Sequence, residues 1–239
     1  MNIIITLYTE VLYRPLFNAL VGIYTILPWQ DMGLAIILLT LGMRIILAPL
    51  FWKAQKSQKD LAKIQPELKK VQQEFKHDRE KQGRALMELY AKHRVNPMSG
   101  CLIALVQLPL LIALFSVFRH GFDPSQLVYL YSFIENPGAL NPQAFWGILD
   151  LARGGIQGLL LGIGAAATQY VQTKMTLPAP PSAGDKHDFS RIIQTQSLYV
   201  FPLFILVWSY TLPLALTLYW TVLNIFGILQ EVIVRRLRK

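Results

Sequence analysis

The sequence predicts an all-α polytopic membrane protein: five transmembrane helices, a cytoplasmic antiparallel helical hairpin and an N-terminal interfacial helix. Three observations predict this. Apolar residues make up 53% of the 239, and the mean hydropathy is +0.37, above the range usual for soluble domains. Uncharged or nearly uncharged stretches near the roughly 17–25 residues that a bilayer requires recur along the chain. The Lys and Arg residues gather in a few segments between and after those stretches.

Residues 1–30 lack the basic start and the small-residue cleavage pattern of a signal peptide. Glu10 and Arg14 interrupt the apolar residues there, and Pro15 would kink a span. They read as an amphipathic helix on the outer interface, with Tyr8, Tyr13, Tyr24 and Trp29 as anchors. A sixth span over residues 16–27 is the alternative, short at twelve residues. The first span is 31–52 and contains Arg44. Residues 53–95 are polar. The second span, 96–120, is followed by an outer loop, 121–153. The third span, 154–174, is rich in Gly and Ala. A Pro-rich cytoplasmic loop, 175–196, leads to a short fourth span, 197–212. The fifth span is 213–234, with Glu231 near its end, and residues 235–239 form a basic tail.

With the N-terminus outside, nineteen Lys and Arg lie inside against three outside, Arg14, Arg119 and Arg153. That bias places the C-terminus in the cytoplasm. The formal charge of +9 thus reads as topology rather than nucleic-acid binding, which would call for base-stacking aromatics among the basic residues. In the polar segment, Leu61, Ile64, Leu68, Val71 and Phe75 recur at spacings of three and four, an apolar seam. Leu86, Leu89 and Tyr90, with Met87 beside them, supply a second stripe. A turn is expected over residues 76–83, and Pro66 interrupts the first helix. The many lysines offer a surface to a ribosome, a targeting factor or anionic lipid; a solvated linker is the other reading.

Arg44 is the residue that carries most about function. A guanidinium inside a span costs about 2.5–3.5 kcal/mol on insertion scales, and it stays protonated. Counted at about 1.5 Å per residue from the inner side, Arg44, Gln107 and Asn224 lie roughly 12–15 Å deep in three different spans. Thr40 is one turn from Arg44, and Thr217 and Trp220 share the helical face of Asn224. Asp31 and Glu231 are at other levels, so no carboxylate meets the arginine at its depth. A charge so placed calls for hydration. The expectation is a water-containing, positive concavity on the inner-leaflet side. Snorkelling of the long Arg44 stem and interhelical hydrogen bonding by Gln107 and Asn224 are the simpler alternatives.

Other chemistries find little support. The single cysteine, Cys101, excludes an internal disulfide. The four histidines are scattered, no H-E-x-x-H occurs, and the one Gly-Asp pair, Gly184-Asp185, lies in the Pro-rich loop. No cofactor, metal site or enzymatic activity is expected. A small-anion transporter using Arg44 as its binding site is the alternative function, although the internal repeats usual in transporters are not seen.

Several short motifs, taken in order, are more specific. They are Thr40-Leu-Gly-Met-Arg44-Ile-Ile-Leu-Ala-Pro49, Ile64-Gln-Pro66-Glu, Asn96-Pro97-Met-Ser-Gly100-Cys101, Gln107-Leu-Pro109 and Leu218-Tyr219-Trp220-Thr-Val-Leu-Asn224. Through them the chain resembles the YidC family of membrane protein insertases, from about Leu12 to the tail. The resemblance implies a five-helix core with a hydrophilic groove open to cytoplasm and lipid. It implies that Arg44 is the groove arginine, and that Thr40, Gln107 and Trp220 line the groove or contact nascent membrane proteins. It further implies that the hairpin assists substrate recruitment and that the basic tail contacts ribosomes. The large periplasmic domain of Gram-negative members has no counterpart here, which leaves partnership with the Sec translocon open.

Overall fold

The structure, a computed structural model, describes residues 3–96, 99–177 and 195–237, with the side chains of 58, 99–104 and 237 left aside. Expectations that fall on the Pro-rich loop and the end of the tail lie outside the described residues. Helix α1 (Ile3–Tyr8) passes through a π-helical turn, Thr9–Tyr13, into α2 (Arg14–Ile26). Then follow α3 (Met32–Lys63), α4 (Gln65–Glu74), α5 (Arg79–Lys92) and α6 (Ser99–His120). Residues 121–153 form a 3-10 turn at Pro124–Tyr129 and a two-residue antiparallel ladder, β1 (Gln143–Ala144) with β2 (Leu149–Asp150). Helix α7 (Gly155–Thr176) comes next; a second π turn, Gln196–Val200, enters α8 (Phe201–Thr211), and α9 (Leu214–Leu237) is the last described element. Each π turn precedes a proline, Pro15 or Pro202, in the first turn of the next helix. Proline has no N–H to continue the i→i−4 ladder, and a widened turn accommodates the gap.

Among the described residues, two helices pass by length and composition as membrane spans: 32–63, with mean hydropathy 2.3 in its best window, and Leu214–Arg236, with 1.4. A shorter apolar stretch, Leu105–His120, lies in α6. The five spans expected from the sequence exceed these. Gly, Thr and Gln dilute α7, and the 11 residues of α8 reach only about 16 Å.

The chain divides into two compact units. One comprises 3–46, Pro109–Leu177 and 195–237; the other is built on Leu47–Leu108. The division falls close to Pro49 in α3 and at Pro109 in α6.

The core of the larger unit joins Phe17, Leu20 and Tyr24 of α2, Met32 and Ile36 of α3, Leu114 and Phe118 of α6, and Leu214 and Tyr219 of α9. Glu10 and Arg14 are each other's partners at 3.0 Å. Of the four expected interface aromatics, three have hydroxyls bonded inside the protein: Tyr8 to Ser116 (2.8 Å), Tyr13 to Gln126 (2.7 Å) and Tyr24 to the Asn141 N–H. Only Trp29 stays exposed. On α7, Gly158, Gly162 and Ala165 are buried while Ile156, Leu160 and Ile163 are exposed. A Cβ on Gly158 would overlap the Ser209 carbonyl of α8, and one on Gly162 the Ser209 hydroxyl. This is the small-x-x-x-small packing by which helices in lipid approach closely.

In the smaller unit, Ile64, Leu68 and Val95 are buried and Leu61, Leu86, Leu89 and Tyr90 pack on them. Glu67 meets His93 at 3.1 Å and the Gln82 amide donates to the Gln72 carbonyl, so α4 and α5 run in opposite senses. The helix breaks at Ile64, one residue before α4 opens with Pro66 in its first turn, as its ring requires. The turn lies at 75–78 rather than reaching 83. Asp78 caps α5 by accepting from the Lys81 N–H, and Gly83 is helical. The N-cap bond, not the glycine, sets the start of the helix.

Candidate functional site

Helix α3 supplies the first two site residues. Asp31 starts it by accepting from the Leu34 N–H at 2.9 Å. Thr40 is buried, with its hydroxyl donating back to the Ile36 carbonyl at 2.6 Å. That bond satisfies the hydroxyl within its own helix. Arg44 follows one turn later on the same face. It is half-buried and its Nε is fully buried, while the next two side chains, Ile45 and Ile46, are exposed. Its electrostatic neighbour is the phenol of Tyr219 on α9. Tyr219 is the largest fully buried side chain among the described residues and packs against Phe118 with ring centroids 6.4 Å apart.

Thr217, Trp220 and Asn224 lie on one face of α9, as their spacing predicts, and all three are buried. The Thr217 hydroxyl has no hydrogen-bond partner among the described residues. Asn224 faces α7: its amide donates to the Ala165 carbonyl at 3.2 Å and lies 3.4 Å from the Thr168 hydroxyl. Gly227 continues this contact, leaving room for the Gln172 side chain. Asn224 therefore joins two helices, the arrangement that interhelical hydrogen bonding predicts. Tyr219, an electrostatic neighbour of Arg44, lies about 140° away around the helix. Gln107 is half-buried in the smaller unit, two positions before Pro109.

Two residues outside the sequence-based set matter here. Tyr219 reads in sequence as one more aromatic core position, and nothing in its spacing marks it as the arginine's neighbour. Glu231 is 4% exposed and pairs with Arg235 at 3.1 Å, while Arg235 also donates to the Met175 carbonyl of α7. The i,i+4 spacing of Glu231 and Arg235 was the available signal. Glu231 holds the Arg235 guanidinium, and Arg235 fastens the end of α9 to α7. Among the described residues no group of three or more His, Cys, Asp or Glu side chains gathers in a way that could hold a metal.

Residues 23–239 match the family described as "60Kd inner membrane protein". The membrane protein insertase YidC of Fusobacterium nucleatum is 34% identical over 201 residues, covering 84% of each chain. That of Syntrophobacter fumaroxidans is 33% identical over 207 residues, 87% of this chain but 35% of the relative. The chain thus spans most of the first relative and about a third of the second. A crystal structure described as an active YidC insertase with the first transmembrane domain resolved superposes with a TM-score of 0.56 at 27% identity, covering 93% of this chain and 46% of that one. With a family match over nine-tenths of its length and a relative aligned across most of both chains, this chain belongs to the YidC family of membrane protein insertases.

Proposed function

We propose that the protein moves nascent membrane proteins into the bilayer through a hydrated, positively charged groove open to the cytoplasm. The observation that carries this reading is Arg44, a half-buried guanidinium inside an apolar helix. Beside it are Thr40 on its own helix and Tyr219 on α9. Thr217 is assigned to the groove from its sequence position; its buried hydroxyl has no partner among the described residues, and such groups are commonly satisfied by ordered water. Five spans, an outside N-terminus and a cytoplasmic C-terminus fit the charge bias. The α4–α5 pair then forms a hairpin in the cytoplasm.

A substrate's short polar segment enters the groove, where water and Arg44 replace part of the hydration it loses. This lowers the barrier to translocation. The apolar segment then moves along the Trp220 side into lipid, driven by burial at about 25 cal/mol per Å². The membrane potential, positive outside, favours the translocation of each negative charge by about 2.3 kcal/mol per 100 mV. Asn224 holds α9 on α7, and Gln107 is assigned to the groove from its sequence position alone. No bond is made or broken, so no catalytic residue is required. The lysines of 53–95 recruit through a ribosome, a targeting factor, the Sec translocon or anionic lipid.

Reconstitution tests the reading. Purified protein in vesicles should insert a single-span substrate and should not carry small anions. Anion flux that depends on Arg44, without insertion, would replace this proposal with the transporter.

A further inference from the structure

The end of the larger unit at which α3 and α9 begin carries an apolar tip that the groove does not use. Residues 142–149 contain no charge. With Asp150 they form the short ladder, Gln143 opposite Asp150 and Ala144 opposite Leu149, closed by Phe145, Trp146 and Gly147. All three closing residues are left-handed, with φ of 51°, 59° and 84°. Two bulky aromatics in that region are disfavoured, and such backbone persists only where its surroundings hold it.

Three contacts hold it. The Asp31 carboxylate that caps α3 also accepts from the Phe145 N–H at 2.5 Å. Gly33, in the first turn of α3, makes room: a Cβ there would lie 2.8 Å from the Ala144 Cβ and 3.0 Å from the Phe145 ring. Beyond the ladder, the Leu214 and Ala215 N–H groups at the start of α9 donate to the Arg153 and Leu151 carbonyls at 3.0 and 3.1 Å. The loop is thereby fixed on the N-terminal ends of the two helices long and apolar enough to span a bilayer.

This fixed backbone presents Trp146 at 85% exposure and Ile148 at 67%, with Trp29 at 69% across a cleft of about 320 Å³. Clustered exposed apolar side chains mark an interaction surface. Indole combines an apolar body with one N–H donor, the chemistry favoured in the headgroup layer. The patch adjoins the N-terminal ends of the two described helices that are long and apolar enough to span a bilayer, so the bilayer is the surface that this placement favours.

We propose that residues 142–149 are a lipid anchor. Trp146, with Ile148 and Trp29, sits in the headgroup layer of the leaflet at which α3 and α9 begin, and so sets the depth of both helices. The proposal concerns the end of the unit opposite the cytoplasmic groove and does not depend on insertase activity.

The test uses the full chain with Cys101→Ser and either Trp146→Cys or Ile148→Cys, labelled with an environment-sensitive fluorophore and reconstituted in phosphatidylcholine vesicles. Both positions are exposed, so neither change removes a core contact, and the two variants check each other. Lipids spin-labelled near the headgroup should quench either label at least twofold more than lipids spin-labelled near the chain end. Emission that spin-labelled lipid leaves unchanged at both positions, in vesicles holding only this protein and lipid, would overturn the anchor and leave the patch to a protein partner.

Discussion

Helices α7 and α4 bury opposite kinds of residue. On α7 the small side chains, Gly158, Gly162 and Ala165, face the protein, and the large ones, Ile156, Leu160 and Ile163, face outward. In the α4–α5 pair the large side chains, Ile64 and Leu68, are inside, while lysines and glutamates cover the outside. Both patterns have helical period, but on the five-span reading proposed above they answer different solvents. In water, burial of large apolar groups drives packing. In lipid that gain disappears, and close approach over small residues with interhelical hydrogen bonds takes its place. Hydrophobicity alone therefore locates the inner face of α4 but not that of α7.

The largest expected effect comes from filling the small-residue face. Gly162→Leu forces the side chain into Ser209 and should cost about 3 kcal/mol. Thermal unfolding in detergent micelles should show loss of the α7–α8–α9 packing. Retention of the wild-type midpoint would mean that α7 does not pack closely there. In the smaller unit the corresponding break is the reverse, a large residue made small. Leu68→Ala should cost about 2 kcal/mol. The loss should appear as faster amide exchange in α4 and α5, with α7 unchanged.

Polar contacts rank lower. Asn224→Ala removes the bond to Ala165 and should cost about 0.6 kcal/mol, the average for such bonds in membranes, and no more than about 1.7 kcal/mol. A much larger loss of insertion than of stability would return Asn224 to the groove. The smallest effect is at Asp78. Its carboxyl is held below the usual carboxylate range, first by the Lys81 N–H and then by the Lys81 ammonium. A lowered folded value means that the cap contributes above the ordinary carboxylate range and is lost as pH falls through that lowered value. Amide exchange at the start of α5 should therefore quicken in acid. Asp78→Asn should flatten the dependence, because asparagine caps without titrating.

The sequence was most legible where a residue contradicts its surroundings. Arg44 stands out because no other charge lies in residues 32–52. The seam through Ile64 and Leu68 was visible because water enforces its period. Pro66 marked a helix boundary because its ring allows little else. Partnerships were less legible. Helical spacing puts Asn224 on a face with Thr217 and Trp220. That this face meets α7 depends on the rotation of α9, which Gly227 and Ala165 settle only in three dimensions. Tyr219 lay hidden among apolar neighbours. The ladder at 143–150 has two residues per strand, too few to show alternation, and its aromatic turn lacks the usual Asn-Gly signal.

The proposed groove depends most on Arg44 being a hydrated charge open to one side of the membrane. Single cysteines at positions 40 and 44, in protein lacking Cys101 and reconstituted in sealed vesicles of known orientation, measure this directly. A membrane-impermeant thiol reagent should react at both positions only when added on the side that carries residues 53–95. Protection of both positions from both sides would mean a dry helix core and would contradict the groove.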